Sequence, residues 1–313
     1  TLGSAVTVSA NCTVQIGYVP ATFYLPVNAP APAGYLTADA NRPIIANACG
    51  PGCNMRRYQI LPANYGANTA ALNAAQTNFA NWFQYHRNRI LSMVGSSSHA
   101  MAGVENMRVG YFTINNRVNV TMHDVAPARV NLFNQIYGLK PAGGTPNRQA
   151  AAFLGQQFRR TDDGAPVIRA CQRNGGMLFT DGYTNIDNTA GGYGNADSVG
   201  GTYLSGAPFP DNYSNTIADI AASYYAGSNT PLRSGGSFPA GLVPVPEECA
   251  TLNTSSAAYK RLDCQPDLHM NFYGVTLGAQ GLIYEVNQPA TEDPYTNPPT
   301  WNANGDPIKG DDG

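Results

Sequence analysis

Gly175-Gly-Met-Leu-Phe-Thr-Asp181 is the stretch on which the reading of the fold turns. Two glycines lead into an apolar run too short for a helix, and the run breaks at once into Asp181-Gly182, a turn pair. It reads as a short buried strand that delivers a carboxylate to its own carboxyl end. Its neighbours have a different period. Upstream, Thr145-Pro146 opens a helix with Thr as N-cap and Pro at the first helical position, and Ala150, Phe153, Leu154 and Phe158 share one face. Downstream, Ser214 caps another helix through Ile217, Ile220 and Tyr224, and residues 268–277 are nearly unbroken apolar, as in a strand covered on both faces.

Further out the same two textures alternate. Leu72, Ala75, Phe79, Trp82, Phe83, His86, Ile90, Met93 and Val94 recur at three- and four-residue steps, one apolar stripe on a long helix starting near Ala70. Met107–Ile114 reads as a strand and Arg117–Met122 as its partly exposed partner, with Asn115-Asn116 as the turn between them. A short helix over Arg129–Leu139 follows. The order is helix, strand, strand, helix, helix, strand, helix, strand, which predicts an α/β sandwich: a mostly parallel central sheet with helices on both faces. No convincing buried strand precedes the first helix, although a doubly wound fold opens with one.

Three parts follow from composition along the chain. Residues 1–69, punctuated by Pro20, Pro26, Pro30, Pro32 and Pro43, read as an irregular segment of loops and short strands draped over a core. Residues 70–285 hold the α/β domain. Residues 286–313, rich in Pro, Asn and Asp, read as a linker.

The 313 residues are 43% hydrophobic and 10% aromatic, enough to bury a core and exclude disorder. Charged residues are 12%, about half the usual quarter, and 18 Lys and Arg against 20 Asp and Glu leave a net charge of −2. That balance lacks the positive footprint a phosphate backbone requires, so nucleic acid is not the expected partner. No apolar run reaches eighteen residues, so no membrane span is expected. The first residue is Thr1 and no leader pattern follows it, which suggests a processed product or a fragment of a longer protein.

The six cysteines, 12, 49, 53, 171, 249 and 264, include no Cys-x-x-Cys pair and none with His at zinc spacing. An even count in such a chain predicts disulfides and export. Cys49-Gly-Pro-Gly-Cys53 is a tight turn that a bridge would close. Cys249–Cys264 would close a Gly/Pro excursion before the last strand. Cys12–Cys171 then remains by elimination, with Cys171–Cys264 as the alternative, since each precedes a buried strand by about six residues.

Thr145 and Asp181 place two oxygen ligands where strands end and helices begin, the ligand crevice of an open α/β sheet, and such donors suit a hard cation such as Mg²⁺. The plain alternative is an N-cap and an Asp-Gly turn. Tyr183, Asn185, Tyr193 and Tyr203 lie in a Gly/Asn/Tyr-rich loop over 182–213 that resembles a binding surface, or is an ordinary polar loop. Asp187 and Asp197 fit no calcium-loop spacing. His86 and His269 lie on apolar elements as packing residues, and neither Gly-x-Ser-x-Gly nor His-Glu-x-x-His occurs, so no enzyme is expected.

Five of these stretches together resemble the N-terminal domain of the PilY-type, type IV pilus tip-associated adhesins. They are residues 78–91, Gly143-Gly-Thr-Pro146, Leu178-Phe-Thr-Asp-Gly-Tyr-Thr-Asn185, residues 209–220 and residues 269–278. The resemblance covers about 55 to 285. It implies a von Willebrand factor A-like fold at the cell surface and pilus tip, supporting pilus assembly, adhesion and twitching motility. The implied partners are pilins or minor pilins and a host or abiotic surface. It also implies a metal-ion-dependent adhesion site, to which Thr145 and Asp181 match the second and third ligand groups. The first group, Asp-x-Ser-x-Ser after an opening strand, is missing from this sequence, so Mg²⁺ or Mn²⁺ binding is expected to be weak or absent. Ile308-Lys-Gly-Asp-Asp-Gly313 resembles the junction where relatives enter a C-terminal β-propeller. Two other functions fit the residues alone: an exported, metal-independent glycan- or protein-binding module, and an exported hydrolase.

Overall fold

The computed structural model describes residues 20–36, 38, 42–48, 52–180, 190–199, 201–233, 238–276, 293 and 295–296. The chain is mixed α/β with small sheets, and it forms two compact units, Thr1–Arg87 and Asn88–Gly313. The boundary falls at Arg87/Asn88, inside the helix that the apolar stripe predicted.

In the first unit β1 (Thr22–Pro26), β2 (Ile44–Ile45) and β3 (Met55–Gln59) form an antiparallel sheet in the order β1-β3-β2. β3 is central, pairing Thr22↔Gln59 through Pro26↔Met55 on one side and Ile44↔Arg56 on the other. Its Tyr58 is buried, stacked on Phe23 at 5.3 Å and met edge-on by Tyr35 at 5.1 Å, which in turn meets buried Tyr65. The Arg42 guanidinium lies 4.4 Å from the Tyr58 ring centroid, a cation–π contact. This part of the chain therefore holds short strands, as the sequence suggests, together with an aromatic core of its own. Its signal is weak in the sequence because the core is built from a few Tyr and Phe spread between prolines, without a sustained alternation.

α1 (Thr69–His86) closes this unit, capped by the Asn68 side chain, which accepts from the Ala71 amide. None of its residues is buried, and Trp82 and Phe83 are half-exposed. α2 (Arg89–Met101) begins anew because Asn88 adopts an extended backbone and its side chain accepts from the Leu91 amide. An Asn side chain competes with the helix for backbone donors, and here it starts a second helix in the middle of the stripe.

In the second unit β4 (Arg108–Val109) pairs antiparallel with β5 (His123–Asp124), and a single bridge, Thr113↔Asn116, marks the turn between them. The expected long hairpin strands pair only at their ends and at this tip. The reason lies in α4 (Asn147–Arg159) and the residue after it. The Gln157 side chain accepts from the Val120 amide at 3.0 Å, and Arg160 donates to the Val120 carbonyl at 3.0 Å. Side chains thus take the hydrogen bonds that a ladder would have used.

α3 spans Val125–Tyr137, starting four residues before the predicted Arg129. β6 (Asn174–Thr180) and β7 (Met270–Thr276) form a parallel pair in register from Asn174↔Met270 to Thr180↔Thr276. α4 packs on α5 (Ile217–Tyr225) and on β6, and α5 packs on β7. Between these elements lies the main core, with Val167, Ile220, Tyr224, Leu232, Leu268 and Met270 at most 3% exposed. α6 (Ala257–Lys260) is a single turn before β7.

One large central sheet was expected; the described residues hold three small ones. Along β6 the exposure alternates: Asn174, Gly176 and Leu178 are buried, while Met177 and Phe179 stand out with Tyr273 and Val275 of β7 beside them. Helices cover one face of this pair, so residues 270–275 are not buried on both faces as the composition of 268–277 suggested. The linker expectation changes at one spot: Tyr295 meets Phe209 edge-on, and Arg261 pairs with Asp293.

Candidate functional site

The chain enters α4 through Pro141-Ala-Gly-Gly-Thr-Pro146. Asn115, at the hairpin turn, holds this loop: its Nδ2 donates to the carbonyls of Ala142 and Gly144, both at 2.7 Å. Gly143 has φ +76°, and a Cβ there would lie 2.7 Å from Asn115 Cγ, so glycine is required for both conformation and space. The helix cap is Pro146, with no side-chain hydrogen bond. The sequence suggested Thr145 as the N-cap; the cap is instead Pro146, and Thr145 lies one residue before it.

β6 ends at Thr180 and the parallel β7 at Thr276, so the two carboxyl ends lie at one edge. Asp181, Tyr183 and Asn185 follow Thr180 in sequence and fall outside the described residues. Tyr193 is partly buried against the main core, its hydroxyl 3.1 Å from that of Tyr224. Tyr203 sits in a 3₁₀ turn, Gly201–Tyr203, where burial first, and then Tyr259 and Asp267, push its phenol upward. Tyr193 is thus engaged in packing, and Tyr203 is partly buried.

Residues that sequence reasoning passed over gather at the start of α5. Thr216 and Asp219 form a capping box: Thr216 Oγ1 accepts from the Asp219 amide at 3.1 Å and Asp219 Oδ2 accepts from the Thr216 amide at 2.8 Å. Asp219 is fully buried, and its Oδ1 accepts from the Asp197 amide at 3.4 Å. Asp197 is 3% exposed. Burial, followed by the charges of Asp219 and Asp211, pushes its carboxyl up to about 6. The Thr-x-x-Asp spacing of 216–219 was the legible signal for the cap; nothing in the sequence joined it to Asp197.

A second polar cluster surrounds buried His269 at the start of β7. Its Nδ1 lies 2.7 Å from the Asp267 carbonyl and its Nε2 2.9 Å from Asp263 Oδ1, so both ring nitrogens face acceptors. Asn271 and Tyr225 also donate to Asp263. Burial raises the Asp263 carboxyl, but the hydrogen bonds from His269, Asn271 and Tyr225 outweigh it and hold it below the ordinary carboxylate value. His269 is thus a satisfied buried residue that ties β7 to α5. The neighbouring Cys264 is bonded to Cys249. Cys53 is also in a disulfide, while Cys12 and Cys49 lie outside the described residues. Cys171 is a free, exposed thiol in the turn before β6, which corrects both the Cys12–Cys171 pairing and its alternative. Cys264 is taken, and Cys171 faces outward.

An open cleft of about 280 Å³ lies between the 111–121 excursion and α3, lined among others by Tyr111, Thr113, Asn116, Asn119, His123 and Gln135. Among the described residues, which do not include Asp181, no three His, Cys, Asp or Glu side chains are placed to hold a metal. No helix among them is long and apolar enough to cross a membrane.

Comparison with known proteins bears on this arrangement. The chain is 30% identical over 248 residues to the type IV pilus biogenesis factor PilY1 of Pseudomonas aeruginosa strain PAK, covering 70% of this chain and 21% of that protein. It is 28% identical over 247 residues to the PilY1 of strain PAO1, covering 69% and 20%. No protein-family model and no solved structure matches it. The chain is a PilY-type protein. It spans about a fifth of the length of these curated relatives.

Proposed function

We propose that this chain is a pilus-associated domain of a type IV pilus biogenesis factor, exported to the cell surface and acting at the pilus tip in assembly, adhesion and twitching motility. The observation that carries the reading is the likeness to PilY1 proteins across 70% of the chain. The fold proposed with it is von Willebrand factor A-like: the parallel β6–β7 pair with α4 and α5 on one face fits part of such a sandwich. The role is binding, not catalysis, towards pilins or minor pilins and a host or abiotic surface. Thr145 and Asp181 would be two ligands of a Mg²⁺ or Mn²⁺ adhesion site, and two side chains of a larger set predict weak binding at most. Metal-independent glycan or protein binding is the alternative reading.

The test is deletion of the gene in its own piliated host, with surface pili counted by electron microscopy and twitching zones measured. Loss of both, restored by the intact gene, supports the reading; normal piliation and motility in the deletion overturn it. The restored strain carrying Asp181→Asn separates the two binding modes, since only the metal site predicts loss of cation-dependent adhesion.

A further inference from the structure

The structure assigns a Ca²⁺ site to the loop before α5, with Asn195 Oδ1 and Asp197 Oδ2 as its side-chain ligands. Both oxygens are shut off from solvent and have no hydrogen-bond partner. Each is an acceptor, so what completes it must be a donor or a cation. Asp197 is almost wholly buried, and leaving such an oxygen bare costs more than the hydrogen bond it forgoes.

The surroundings select the cation. Asn195 Nδ2 and Ser198 Oγ both donate to the Asp211 carbonyl, at 2.7 and 2.9 Å, which draws the 195–198 and 211 segments together. Ser198 also donates weakly to Asp197 Oδ1 at 3.4 Å, leaving Oδ2 as the bare atom. Asp219 is committed to its capping box and to the Asp197 amide, so it contributes charge and not a ligand. Three carboxylates, Asp197, Asp211 and Asp219, therefore share one region, and none of the ion pairs among the described residues involves any of them. Carboxylate and amide oxygens, with water completing the shell, suit Ca²⁺; Mg²⁺ demands stricter octahedral geometry, and no soft donor is present for zinc. The assignment does not depend on the role of Thr145 or Asp181.

The experiment uses the full chain, stripped with EGTA and then titrated with CaCl₂ or MgCl₂ by calorimetry and thermal denaturation. With affinity in the range of extracellular calcium modules, 10 mM Ca²⁺ raises Tm by about 3–10 °C, and Mg²⁺ raises it less. Asp197→Asn abolishes the Ca²⁺ response, and Asn195→Ala, a milder change should the first variant fold poorly, weakens affinity about tenfold. Asp181→Asn leaves the response intact. No response in the wild-type chain overturns the assignment. A response that survives Asp197→Asn and Asn195→Ala, or that disappears in Asp181→Asn, overturns it equally.

Discussion

Replacing Gly155 with Ala sets two effects against each other, and the structure decides between them. Gly155 lies within α4, where Ala is favoured by about 1 kcal/mol on helix propensity. The added Cβ, however, would lie 2.1 Å from Tyr224 Cε2 and 2.4 Å from Cδ2 and Cζ. Carbon atoms in contact sit about 3.5–4.0 Å apart, so the overlap is more than an ångström. Tyr224 cannot swing clear, because it is 2% exposed and its hydroxyl is bonded to Tyr193. Overpacking of this kind costs about 1–3 kcal/mol, and so deep an overlap belongs at the upper end. The net expectation is a loss of about 2 kcal/mol, or about 4–8 °C in the melting of the unit that holds α4. Circular dichroism on heating and urea titration at constant slope would measure it. Gly103→Ala, where a Cβ meets nothing within 4 Å, should stay within about 0.5 kcal/mol of wild type. A Gly155→Ala chain as stable as wild type, or more so, would refute the close α4–α5 approach. Adding Tyr224→Leu should recover part of the loss, since the two residues share one space.

Removing the Cys249–Cys264 bridge as a double Ala variant frees a loop with a sequence separation of 15. The expected loss is about 3 kcal/mol by urea titration, and no loss would mean that other contacts already fix this excursion. The Asp263 carboxyl is held low, so its contribution is present above the unfolded value of about 3.9 and is lost as pH falls through the lower folded value. Asp263→Asn should accordingly lower Tm at pH 6, with the gap to wild type narrowing below pH 4; an equal gap at both pH values counts against the network. Asn115→Ala removes both clamps on the 142–144 loop and should speed amide exchange at Gly144 and Thr145. Unchanged exchange there would show that the loop holds itself. Calorimetry with Mg²⁺ alone should give weak or no heat from a Thr145/Asp181 site, and submicromolar affinity would show that a further carboxylate completes it.

Local signals in the sequence were read well where a short segment settles its own structure. The apolar run after Gly175 is β6, the apolar stretch after Leu268 contains β7, and the stripe through Ala150, Phe153 and Leu154 is α4. Errors arose where one polar side chain outweighs an apolar pattern. Asn88 divides an otherwise continuous stripe into α1 and α2 by capping the second helix. Likewise, the alternation of 117–122 predicts a ladder, yet Gln157 and Arg160 satisfy Val120 from 37 and 40 residues away. Such competition is invisible in a window of ten or fifteen residues, because the competing donor or acceptor lies beyond it.

The candidate sites divide along the same line. Thr145 precedes a helix pattern and Asp181 follows a strand pattern, positions that sequence alone can mark. The spacing of Asp197 from Asp187 matches no calcium loop, and a spacing argument assumes that the ligands come from one continuous turn. The structure instead brings Asn195 and Asp197 against Asp211 and the capped end of α5, two more stretches of chain. What joins them is the demand of a buried acceptor for a partner, which depends on the packing around it and not on its neighbours in sequence. An Asp two residues after an Asn is common on any surface; with Asp197 buried and both side chains presenting a bare oxygen, the same pair becomes a claim about a cation.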